Sequence, residues 1–93
     1  MKTRVKIKQE DSELVERLFI EFQGDCNILG YLSNYGSFDE EFYDRKWEEA
    51  VQINHQLEEA KAAMDREYHP DDGQPYVMYE FDFSSGDMIY KYD

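Results

Sequence analysis

The chain has 93 residues, 34% of them charged and 16% aromatic, with a formal net charge of −12. That length holds one domain and one core, and such a field repels DNA, RNA and anionic lipid. A single cysteine excludes an internal disulfide framework, and no apolar run is long enough for a signal peptide or a membrane span, so a cytoplasmic protein is expected.

High charge alone fits disorder, but disordered chains lack aromatics. Eight Tyr, six Phe and one Trp supply large buried areas with polar tips, so the chain is read as folded. The charge is also uneven. Lys2, Arg4, Lys6 and Lys8 open the chain with no acid among them, and all 22 acids follow against six further cations.

Residues 3–8 alternate strictly, with Thr3, Val5 and Ile7 on one face and the cations on the other. Period two predicts a strand with one buried face. Its cationic face has two readings: lysines that deter edge-to-edge association, or a contact with an acidic surface on this protein or a partner.

Residues 12–33 read as a helix with Ser12 as N-cap and Glu13 and Glu16 at the positive end of the dipole. Val15, Leu18, Phe22, Leu29 and Leu32 form a coiled-coil-like stripe, with Phe19 and Cys26 beside it. Gly36 is the expected stop. Ser37 and Glu40 then make a capping box for a second helix over 38–68. Its stripe runs Tyr43, Trp47, Ala50, Asn54, Leu57, Lys61, Met64 and Tyr68, and Pro70 ends it.

A short turn makes the helices antiparallel. The stripes align when paired numbers sum to about 72, which sets Leu29 by Tyr43, Phe22 by Ala50, Leu18 by Asn54 and Val15 by Leu57. Asp25 then falls opposite Trp47, whose indole N–H can donate to it, and Asp11 opposite Lys61 as an ion pair. Met64 and Tyr68 overshoot and cover the sheet.

Residues 76–92 read as a strand hairpin. Val77, Tyr79, Phe81 and Phe83 alternate with Met78, Glu80 and Asp82. A two-residue Ser85-Gly86 turn sets Phe83 by Met88, Phe81 by Tyr90 and Tyr79 by Tyr92, with Glu80 opposite Lys91. The first strand joins this hairpin, because two strands alone are marginal in water. The expected fold is α+β in the order β-αα-ββ: an antiparallel two-helix hairpin packed on a small three-stranded sheet, one domain over 1–93.

Reactive chemistry finds little support. His55 has no second His or Cys at zinc spacing, and Asp71-Asp72-Gly73 lacks the closing Glu of a calcium loop. No metal or cofactor is expected. His69 reads as a cation at a helix C-terminus. Cys26 reads as a small buried core thiol, with Asp25 and Glu21 opposing ionisation. The paired carboxylates occupy solvated helix faces near cations (Asp44 and Glu48 near Arg45 and Lys46) and have no cleft to act in. No Gly-rich loop precedes a helix. The C-terminal aromatics read as core rather than as a base-stacking platform. No catalytic residue is assigned.

Glu16-Arg17-Leu18-Phe19-Ile20-Glu21-Phe22, Asn27-Ile28-Leu29-Gly30-Tyr31-Leu32, the helix from Trp47 to Tyr68-His69-Pro70, and Phe81-Asp82-Phe83 resemble the small accessory proteins of CXXX repeat peptide modification systems. The resemblance spans roughly residues 13–92. It implies an accessory, peptide-handling role beside radical-based maturases and carries no functional residue over.

The expected function is a non-catalytic acidic binding module for a basic protein or peptide. It presents Glu41, Asp44, Glu48, Glu58 and Asp65 of helix two, or an exposed strand edge that captures an extended peptide. The alternative is a phage or mobile-element inhibitor that mimics nucleic acid. Direct nucleic-acid or membrane binding is not expected. Apolar residues off the stripes (Leu14, Ile20, Ile28, Tyr31 and Ile53) leave room for a homodimer.

Overall fold

The computed structural model describes residues 2–35, 39–71, 73 and 75–92. In chain order the elements are β1 (Lys2–Lys6), α1 (Gln9–Tyr35), α2 (Glu40–Tyr68), β2 (Tyr76–Asp82) and β3 (Asp87–Tyr92). The fold is α+β in the expected β-αα-ββ order, with the helices packed together and a three-stranded antiparallel sheet. Two compact units divide the chain, one of residues 1–16 with 60–93 and one of residues 17–59.

In the first unit the strand order is β1-β3-β2, so the C-terminal strand is central and the other two are edges. Thr3 and Val5 pair with Tyr90 and Met88, which pair in turn with Tyr79 and Phe81. This row is the inward face. Met88 and Tyr90 are buried, together with Ile7, Val15 and Met64. Each such side chain contributes roughly 1.5–3 kcal/mol by leaving water.

The hairpin register differs from the expected one by two residues. Phe81 pairs with Met88 and Tyr79 with Tyr90, and the loop is Phe83 to Gly86 rather than Ser85-Gly86 alone. The reason is Asp82. Its Oδ1 accepts the Ser84 hydroxyl at 2.6 Å and the backbone N–H groups of Ser84 and Ser85 at 3.1 and 3.4 Å. Its carbonyl accepts the Gly86 N–H at 2.9 Å. A local turn built on one Asp side chain outcompetes a tighter turn that would leave this carboxylate idle. Gly86 supplies the φ of +73° that closes the loop. An even shift keeps each residue on its face. The Lys91–Glu80 ion pair forms at 3.1 Å, but diagonally, because Met78 stands across from Lys91. A bulge between Tyr76 and Met78 puts Tyr76 opposite Tyr92 and turns Val77, expected inward, out to 64% exposure.

Helix α1 starts three residues before the expected cap. The Lys8 carbonyl accepts the N–H groups of Asp11 and Ser12 at 3.1 and 3.0 Å, and Ser12 is buried inside the first turn. Glu10 and Asp11 favour the earlier start by facing the positive end of the helix. The Tyr68 hydroxyl donates to Asp11 Oδ2 at 2.6 Å and accepts the Lys8 N–H at 3.2 Å. The Asp11 carboxylate, expected to face Lys61, is thus held by a tyrosine. That hydrogen bond, with partial burial, raises the Tyr68 pKa above its ordinary value.

In the second unit α2 is capped by Asp39, whose Oδ1 accepts the N–H groups of Glu41 and Phe42 at 3.0 and 3.3 Å. The expected stop at Gly36 and cap at Ser37 lie outside the described residues. Leu18, Leu29, Ala50 and Leu57 are buried along the seam. Asp25 is buried too, but Trp47 does not reach it. Lys46 Nζ lies 3.9 Å from Asp25 Oδ1, and Trp47 is 55% exposed. A full cation compensates a buried carboxylate better than an indole N–H does.

Candidate functional site

Arg4 and Lys6 of β1, and Lys8 just after it, meet acids of their own unit. Arg4 lies 3.3 Å from Asp82 and 3.0 Å from Asp87. Lys6 donates to the Ser85 carbonyl and stands 3.8 Å from Asp87, and Lys8 is 3.8 Å from Glu67. The Arg4 pKa rises through its hydrogen bonds to Asp82 and then Asp87. Asp82 is held at about 2, first by the Ser84 and Ser85 hydrogen bonds and then by Arg4. Both sequence readings of this strand have a counterpart: β1 is an edge strand whose cations are exposed, and Arg4 and Lys6 also meet acids of the protein itself.

The five carboxylates assigned to binding fall in two different units. Glu41, Asp44, Glu48 and Glu58 are exposed on α2 in the unit 17–59. Asp65 belongs to the other unit and is half-buried, accepting the Tyr90 hydroxyl at 2.7 Å. Its role is structural: it receives a buried phenol that would otherwise lack an acceptor. Burial first, and then Asp65, push the Tyr90 pKa above its ordinary value near 10. Lys46, expected beside Asp44 and Glu48, reaches Glu49 at 3.1 Å and Asp25 instead. Arg45 stands 5.9 Å over the Phe42 ring.

The same unit carries a groove of about 240 Å³ along one side of the helical hairpin. It is lined by Phe22, Cys26 and Leu29 of α1 and by Trp47, Ala50, Val51 and Asn54 of α2. Leu29 and Ala50 are buried at its floor, while Trp47 and Val51, each 55% exposed, form the α2 lip. Cys26 was expected in the core but is exposed at the α1 lip, one helical step past the seam. Sequence reasoning missed this groove because it turned Trp47 inward. The signal was the neighbouring Lys46, which the same antiparallel register also brings to Asp25.

In the first unit a depression of about 350 Å³ is lined by Lys6, Ile7, Gln9, Ser12, Glu13 and Glu16 and by residues 83–86. Its one cation, Lys6, is already engaged with Ser85 and Asp87. The outer edge of β2 presents Val77 and Met78, 64% and 53% exposed. His69 packs edge-on against Tyr76 and Tyr90 at 5.5 and 5.1 Å, and His55 pairs with Glu59 at 3.0 Å. Among the described residues no three His, Cys, Asp or Glu side chains come together to hold a metal ion. Also among them, no helix is long and apolar enough to cross a membrane. Comparison with family models, with curated proteins and with solved structures returned no match.

Proposed function

We propose that the chain is a non-catalytic acidic binding module that takes a basic protein or peptide, as an accessory protein of a ribosomal-peptide modification system would. The observation that carries this reading is how the charges are spent. Arg4, Lys6 and Lys8 are consumed within their own unit, and Lys46 is consumed by Asp25 and Glu49. Exposed Glu41, Asp44 and Glu48 then face solvent on a chain of net charge −12. A field of one sign steers an oppositely charged partner and rejects polyanions.

The test is a titration with an unstructured Lys/Arg peptide, the same peptide rebuilt with Glu, and a short DNA duplex. The basic peptide binds, and its affinity falls at least about tenfold between roughly 50 and 300 mM salt. Replacing Glu41, Asp44 and Glu48 together by Lys removes most of that binding. Equal affinity for the basic and acidic peptides at low salt would sink the reading.

A further inference from the structure

We propose that the groove lined by Phe22, Cys26, Leu29, Trp47, Ala50 and Val51 is a docking site for a basic amphipathic helix. Its apolar anchors enter the groove, and its Lys or Arg residues lie over the α2 carboxylates. The proposal rests on the acidic-module reading and gives that reading a location and a partner conformation.

Size points to side-chain anchors. At about 240 Å³ the groove falls below the roughly 300–1,000 Å³ typical of small-molecule sites. It suits one or two large apolar side chains presented by a partner. It lies between two antiparallel helices, where one or two anchors at i and i+3 or i+4 spacing on a partner helix can enter.

Charge selects among partners. Helical spacing puts Asp44 three residues before Trp47, Glu48 three before Val51, and Glu58 seven after Val51, so exposed acids edge the α2 lip. The α1 lip is built differently. Phe19 is 44% exposed, Gln23 is exposed, and a Cβ added at Gly30 would meet nothing within 4 Å. One lip is acidic and the other is low and uncharged, so a helix seated here turns its cations toward α2. A second copy of this chain is a poor occupant. It brings another −12 and sets acidic lip against acidic lip.

Two built-in reporters test the idea. Trp47 is the sole tryptophan and Cys26 the sole cysteine, and both line the groove. The probe is a synthetic peptide of Leu and Lys, about 18 residues long, with Leu at i, i+3, i+4 and i+7 spacing. One control has the same composition scrambled, and the other replaces Lys by Glu. The patterned Lys peptide shifts Trp47 emission to the blue and slows iodoacetamide alkylation of Cys26 at least about tenfold, and it binds at least about tenfold more tightly than either control. Val51→Lys and Asp44→Lys, both at exposed positions and checked for intact helicity, each weaken it by about tenfold or more.

Equal binding of the patterned and scrambled Lys peptides, with Cys26 still reactive, overturns the groove and leaves the acidic module standing. Binding of neither Lys peptide removes both. A blue shift that grows with protein concentration in the absence of peptide, together with dimer sedimentation, assigns the groove to a second copy and overturns the basic-helix occupant.

Discussion

Tyr90 on the central strand gives its hydroxyl hydrogen to Asp65 on α2 across 2.7 Å, and its ring is 99% withdrawn from solvent. This one bond fastens the sheet to the end of the long helix. It also removes Asp65 from the acidic surface that the sequence outlined. Strand, helix and charge distribution are therefore coupled at a single phenol.

Tyr90→Phe leaves the half-buried Asp65 carboxylate without this donor, and the expected loss is about 1–3 kcal/mol of unfolding free energy at neutral pH. Tyr90→Ala adds a cavity and costs roughly 3–5 kcal/mol. The folded state favours the neutral phenol, since burial and Asp65 raise its pKa. That stabilisation is complete below pH 10, the ordinary tyrosine value, and declines as pH rises beyond it. Urea unfolding of both proteins at pH 7 and above pH 10 is the measurement. Identical midpoints for wild type and Tyr90→Phe at pH 7 would remove the bond from the account.

Asp82 gives the opposite limb. Its folded pKa of about 2 lies below the ordinary 3.8, so its contribution is present above 3.8 and disappears as pH falls toward 2. Asp82→Asn keeps an oxygen to accept from Ser84 and Ser85 but loses the charge facing Arg4. The variant is therefore less stable than wild type at pH 7, and the gap closes on acidification. A gap that stays constant from neutral to acid pH would show that the turn owes nothing to the carboxylate charge.

Asp25 and Lys46 form a pair of unequal burial, with side chains 9% and 25% exposed. Among the described residues Asp25 Oδ2 has no hydrogen-bond partner. Lys46→Met strands the carboxylate, and a loss of about 3 kcal/mol is expected. Asp25→Leu combined with Lys46→Met gives an apolar seam at least as stable as wild type. A thermal-denaturation double-mutant cycle reads the coupling. If the two changes add independently, Lys46 is not what keeps Asp25 in the seam.

Several elements were legible because periodicity carries them. The alternation of Thr3, Val5 and Ile7 and the apolar spacing of Leu18, Leu29, Ala50, Leu57 and Met64 each point to a face; Ile7 and the five helix residues are buried, and Thr3 and Val5 are half-buried. The helix starts were less legible. The Lys8 carbonyl and the Asp39 side chain cap the helices, while Ser12 lies within a turn. A cap depends on where the chain enters, and side-chain identity alone does not give that. The acidic surface was legible at Glu41, Asp44, Glu48 and Glu58, which need only be exposed on a long helix. At Asp65 the string gave no sign of the phenol partner, which lies 25 residues away in sequence.

The order β-αα-ββ, the seam residues and the negative field follow from the amino-acid string, since each reflects local period or summed charge. The strand order that centres β3, the two-residue shift at the Asp82 turn, and the outward Trp47 and Cys26 were decided only in three dimensions. At the Asp82 turn and beside Trp47 a single polar group needing a geometrically specific partner outweighed a repeating pattern, because one uncompensated buried charge or idle turn acceptor costs more than moving one apolar side chain by a residue.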